Sequence, residues 1–258
     1  MINLSYIIIF ILGVVIGGYI NECIAQIPKG ESGKIPPSQL FKWYQPLSFV
    51  TYIPMIQYFY PKSKWRKNFS AASFRYPMVE LLSGLLMVLT YHQYGITLQG
   101  AAVAIYVSLL VIISFIDLDH MIIPNSLNGI IGITGIIFML MGWTVSIKQG
   151  ILGSVIGGGV LLLLGYFSLW FLKKEGMGGG DIKLVAVSGF YLGLDRMIMA
   201  LILTGYIAGI VLVILLVMRK LNRNQVIPFG PFLSTGMLIS ILLYENIMQF
   251  YWRLIYKL

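Results

Sequence analysis

Asp181 closes the run Gly176-Met177-Gly178-Gly179-Gly180-Asp181, at the edge of a hydrocarbon-length segment, in a chain with only nine acidic residues. An ionisable side chain near the bilayer core is costly and points to function. A second acidic cluster, Phe115-Ile116-Asp117-Leu118-Asp119-His120, sits in a comparable setting. Acids at the edges of two different spans suit paired-carboxylate chemistry, with one carboxyl protonated, one ionised and a water between them. Like charges brought close favour that singly protonated state. The ionised partner acts as general base on the water, and the protonated one donates to a scissile carbonyl or a leaving amine. That is the chemistry of an intramembrane aspartyl protease.

Asp117 and Asp181 belong to different predicted helices, so tertiary packing can bring them face to face. Asp117 and Asp119, two residues apart, would point about 200° apart on a continuous helix and cannot form such a pair. His120, three residues after Asp117, shares its face and could tune the acid or mark the membrane interface. Glycines 178 to 180 let the backbone approach a neighbouring helix and take conformations other residues avoid. Each cluster also has a plainer reading. The glycine run can be a cytoplasmic turn, and Asp117-Leu118-Asp119-His120 a solvated loop start with Pro124 opening the next helix. A phosphate-cradling loop is excluded by the missing Gly-Lys-Ser/Thr ending. Glu80, after Arg75-Tyr76-Pro77, reads as a satisfied interfacial acid that pairs with a loop cation. Ile227-Pro228-Phe229-Gly230-Pro231-Phe232 reads either as a rigid turn opening the last span or as a substrate-facing segment.

The elements that must position these residues are helices in lipid. The chain is 58% hydrophobic and 10% charged, against about 25% charged in soluble domains. The fold class is therefore all-α, a polytopic membrane protein of about eight transmembrane helices. Runs of roughly 17–25 apolar residues mark spans, here near 4–20, 78–95, 100–116, 126–144, 150–172, 183–195, 197–218 and 230–250. The chain divides into a first transmembrane helix (1–27), a cytoplasmic loop module lacking cysteine ligands (28–77) and a transmembrane core (78–258). The first apolar run lacks a basic leader region and a cleavage site, so it reads as a retained helix.

The net charge of +9 suits a membrane protein with basic inner loops rather than a nucleic-acid partner. With the N-terminus outside, 14 of the 18 basic residues fall in inner loops, and Asp117, Asp119 and Asp181 fall at the cytoplasmic ends of their spans. Cys23 is the one cysteine, and His92 and His120 are the two histidines. No cysteine-ligated zinc site can form within one chain, and no metal is expected.

The same residues resemble the type IV prepilin peptidases, the leader peptidases of pilus, competence and type II secretion systems. The matching stretches are Arg75-Tyr76-Pro77-Met78-Val79-Glu80, then Ser114 to His120 with Ile123-Pro124-Asn125. Glu175 to Leu184 and Ile227 to Pro231 complete them, with Gly17-Gly18-Tyr19-Ile20-Asn21 and Ile27-Pro28 near the start. The resemblance implies catalytic Asp117 and Asp181, with Asp119, His120, Gly178, Gly180, Lys183 and Glu80 in supporting places. It implies cleavage of a short basic leader from prepilin- or pseudopilin-like substrates, at the cytoplasmic face of a bacterial inner membrane. Peptide cleavage of this kind needs no cofactor. Many members also bind zinc through two Cys-x-x-Cys pairs in the first cytoplasmic loop and methylate the new N-terminus with S-adenosylmethionine. This loop has no cysteine, so no zinc is expected and S-adenosylmethionine enters only if methylation is retained. The competing readings are a related Gly-x-Gly-Asp peptidase of other membrane helices, an ion-coupled transporter using the two acids as relays, and an inactive assembly protein. The acids lie at one face and no internal repeat is visible, which disfavours the transporter.

Overall fold

A computed structural model of the chain describes residues 4–31, 71–173, 177–218 and 227–256. The described residues form seven helices and no strand. In chain order they are α1 (Leu4–Glu31), α2 (Ala71–Tyr94), α3 (Leu98–His120), α4 (Asn125–Leu140), α5 (Ile147–Leu172), α6 (Gly179–Val217) and α7 (Gly230–Tyr256). The all-α, polytopic class holds. Five of these helices, α1, α3, α5, α6 and α7, are long and apolar enough to cross a membrane.

The expected spans 78–95 and 126–144 fall on the other two. In α2, Arg75, Glu80 and His92 dilute the apolar content. α4 has 16 residues and is about 24 Å long, short of a hydrocarbon core of about 30 Å. The expected spans 183–195 and 197–218 are the two limbs of α6, a 39-residue helix interrupted at Gly193, where φ is 68° and ψ is −175°. Few residues other than glycine adopt that backbone region. A break inside an apolar helix leaves amide groups that lipid cannot satisfy. Here Gln149 Oε1 accepts from Leu194 N–H at 3.2 Å, and Thr144 Oγ1 donates to the Phe190 carbonyl at 3.1 Å.

The chain forms two compact units, Met1–Ile116 and Asp117–Leu258. In the first, α1 packs on α2, and Asn21 Nδ2 donates to the Tyr76 carbonyl at 3.0 Å. Glu80 is fully buried there. The expected loop 28–77 is narrowed at both ends, because α1 continues through Pro28 to Glu31 and α2 begins at Ala71. The rest of that loop lies outside the described residues.

In the second unit α6 is central, packing against α4, α5 and α7. α4 turns Leu127, Asn128, Ile131, Gly132, Gly135 and Met139 inward, the three-and-four spacing of one helical stripe. The Tyr191 hydroxyl donates to Thr134 Oγ1 at 2.8 Å, tying α6 to α4. Ser240 Oγ donates to the Arg196 carbonyl at 2.5 Å, tying α7 to α6. Such short polar links, rather than apolar burial, distinguish one helix packing from another in lipid.

Candidate active site

Asp117 lies in the last turn of α3. That helix ends because Met121 takes a left-handed conformation, φ 54°, with its N–H still donating to the Asp117 carbonyl at 2.8 Å. Pro124, in extended conformation, then caps the start of α4. Only Met121 to Pro124 separate the two helices, so the turn bearing Asp117 and the first turn of α4 are held on one short tether.

Asp181 lies in the first turn of α6. α5 stops at Lys173 in a left-handed conformation, φ 51°. Gly176 of the glycine run, with Glu175 before it, lies outside the described residues. Gly178 caps α6 with φ −68° and ψ 139°, an ordinary extended backbone open to any residue. The glycine at 178 therefore answers a question of space rather than conformation: a Cβ there would stand 3.1 Å from Asp181 Oδ2.

The two aspartates, far apart in sequence, are both buried in this unit, at 5% and 9% exposure for Asp117 and Asp181. Two acids withheld from water within one unit are the raw material for a pair sharing one proton. Gly230, the first residue of α7, donates its N–H to Asp117 Oδ2 at 2.8 Å, and this bond is buried. The first amides of any helix lack partners within the helix. The α7 terminus thus acquires an acceptor and Asp117 acquires a fixed orientation.

The remaining candidates distribute unevenly. Asp119 and His120 are exposed at the end of α3, while Asp117 beside them is buried. Lys183 is exposed on α6, and its Nζ donates to Asn125 Oδ1 at 2.8 Å. Gly180 lies against Ile123 and accepts a hydrogen bond from Asn128 Nδ2 at 3.2 Å. Glu80 belongs to the first unit.

Sequence reasoning missed two residues here. Gly230 entered only as part of the segment Ile227 to Phe232, a rigid turn or a substrate-facing stretch. The available signal was a helix-opening glycine, whose orphan N–H must find an acceptor. Asn128 was passed over inside Leu127-Asn128-Gly129-Ile130-Ile131, although a lone carboxamide in an apolar helix always calls for a partner.

A cavity of about 280 Å³ opens between the end of α5 and the start of α6. Leu162, Gly165, Tyr166 and Leu169 line one side, and Met177, Gly179 and Ile182 the other. Its wall mixes apolar and polar surface, and Gly179 and Ile182 lie on either side of Asp181 in sequence. As to metals, the single thiol, Cys23, is buried in α1, so this chain has no thiolate set for zinc.

The type IV leader peptidase family matches residues 104–214, a stretch that holds both aspartates. The bacterial peptidase A24 N-terminal domain matches residues 11–94. The prepilin leader peptidase/N-methyltransferase of Aeromonas salmonicida (strain A449) is 32% identical over 221 residues, covering 84% of this chain and 75% of its own. The protein of the same name from Bacillus subtilis (strain 168) is 28% identical over 248 residues, covering 95% and 96%. That from Pseudomonas aeruginosa is 31% identical over 207 residues, covering 77% and 69%. No solved structure matches. With relatives aligned along most of its length and both aspartates inside the matched stretch, this chain belongs to the type IV leader peptidase family.

Proposed function

We propose that this protein is a membrane-embedded aspartic endopeptidase that removes the basic leader of type IV prepilin-like proteins. The observation that carries the reading is the burial of both Asp117 and Asp181 in one unit, within the stretch that the leader peptidase family matches. In the proposed step the ionised carboxyl takes a proton from water as its oxygen attacks the scissile carbonyl carbon. The protonated carboxyl gives its proton to the carbonyl oxygen. Collapse of the tetrahedral intermediate breaks the C–N bond, and the leaving amine takes up a proton. Gly230 N–H holds Asp117 in orientation throughout.

The distribution of Lys and Arg supports an outside N-terminus and an active site at the cytoplasmic face. The bacterial relatives support the inner membrane of a bacterium. A basic leader would meet basic inner loops, so recognition rests on the substrate's hydrophobic helix rather than on charge. The relatives' names also carry N-methyltransferase activity. Methyl transfer to the new N-terminus would use S-adenosylmethionine as a second substrate. The loop that holds cysteine pairs in many members lies largely outside the described residues here.

The test is cleavage of a prepilin-like precursor by the full chain in membranes, with Asp117→Asn and Asp181→Asn variants alongside and labelled S-adenosylmethionine in the same reactions. Loss of cleavage in both variants at normal protein levels is the expected result. Normal cleavage by either variant would remove that residue from the mechanism, and label on the product would establish methylation.

A further inference from the structure

Asn128 sits in the first turn of α4 at 4% exposure, on the buried stripe with Leu127 and Ile131. Its Nδ2 donates to the carbonyl of Gly180 at 3.2 Å. A carbonyl can only accept, so the nitrogen end of the carboxamide must face it, which settles which way the group points. Gly180 immediately precedes Asp181. On the other side, α4 follows the turn of α3 that bears Asp117 after only Met121 to Pro124. Asn128 therefore ties the backbone beside one acid to the helix that continues directly from the other.

Two further contacts join the same helix starts. Lys183 bonds Asn125, but in an exposed setting. Ile123 lies against Gly180, and a Cβ at position 180 would stand 3.0 Å from Ile123 Cβ. That contact excludes closer approach without setting a direction. Of the two hydrogen bonds, the one from Asn128 is part-buried and the one from Lys183 exposed.

A second observation separates a structural role from a functional one. Asn128 Oδ1 is buried and finds no donor among the described residues. A buried acceptor left unsatisfied costs stability, which offsets what the bond to Gly180 contributes. As a device for holding the helices together, this carboxamide is poorly chosen. As a device for fixing geometry, it is well placed.

We infer that Asn128 is a positioning residue for the acid pair, holding Gly180 so that the Asp181 carboxyl keeps its place relative to Asp117. The inference rests on the peptidase reading above. Its test is steady-state cleavage of a prepilin-like precursor by the full chain, wild type against Asn128→Leu, with thermal unfolding of both in the same detergent. Misplacing a reacting group by about 1 Å costs up to about 100-fold in rate. The expected result is kcat lowered roughly 10- to 100-fold, with KM within about twofold and a melting temperature close to wild type.

A purely structural asparagine would give the reverse, a lower melting temperature with kcat per folded enzyme retained, and that result overturns the inference. Should the Leu variant fail to accumulate, Asn128→Ala leaves a void in place of the larger side chain, and kcat per folded enzyme decides in the same way. An inactive wild type would overturn the peptidase reading itself, and is seen before any variant is compared.

Discussion

Gly230 donates its N–H to Asp117 Oδ2 at 2.8 Å, and a Cβ at position 230 would stand 2.7 Å from that same oxygen. The close approach of a helix N-terminus to a carboxylate is thus possible only with glycine in this place. Gly230→Ala must push the Asp117 carboxyl aside or move the start of α7. Overpacking of this kind costs about 1–3 kcal/mol of stability. The larger expected effect is on rate, with kcat falling roughly 100-fold as the acid leaves its working geometry. Cleavage kinetics at matched protein levels check this, and kcat within a few-fold of wild type would show that the Gly230 bond does not orient a catalytic group.

Asp117 and Asp181 should behave as one unit. Each carboxyl does work that requires the other, so their removal is strongly non-additive. Asp117→Asn and Asp181→Asn should each lower kcat by about 10²- to 10⁴-fold, and the double variant should be no worse than the poorer single. Asparagine keeps the shape of the side chain, so protein levels should not change. A double variant whose loss equals the product of the two single losses would mean that the residues act independently and that the pair is not a dyad.

The legible part of this chain was its chemistry and its coarse architecture, and the reasons lie in particular residues. Asp117 and Asp181 stood out because ionisable groups are rare beside long apolar runs, and Pro124 marked the start of α4 because proline cannot continue a helix. Periodicity and length fixed where the apolar segments lie, but not whether a bend or a loop separates them. The segments 183–195 and 197–218 were divided near the charged pair Asp195 and Arg196, whereas the break is at Gly193, two residues before Asp195. The charge marked a polar surface, while the backbone broke where glycine allowed a positive φ.

Glu80 illustrates a different limit. Its neighbours in sequence, Arg75 and Tyr76, gave no sign that it is fully buried in the α1–α2 unit. Burial depends on a partner helix distant in sequence, which no local window contains. Gly230 and Asn128 were hidden for the same reason, since each acts through a residue more than fifty positions away.

The Gly193 break yields the last prediction. With φ 68° and ψ −175°, residue 193 occupies a region that costs a side-chain-bearing residue on the order of 1–3 kcal/mol. A Cβ there would also meet Val145 Cγ1 at 3.2 Å. Gly193→Ala should lower the stability of the folded chain by about that amount. Gln149→Leu attacks the same feature from the other side. It removes the acceptor of the Leu194 N–H, leaving a part-buried donor unpaired at a cost of at most about 1–3 kcal/mol. Because both substitutions penalise one bent conformation, their effects are coupled, and the double variant should lose less than the sum of the singles. The break lies three turns along α6 from Asp181, so kcat per folded molecule should fall far less than in Gly230→Ala. Thermal unfolding in detergent, read beside cleavage rates, checks both halves. Fully additive losses would mean that Gln149 and Gly193 do not serve the same bend.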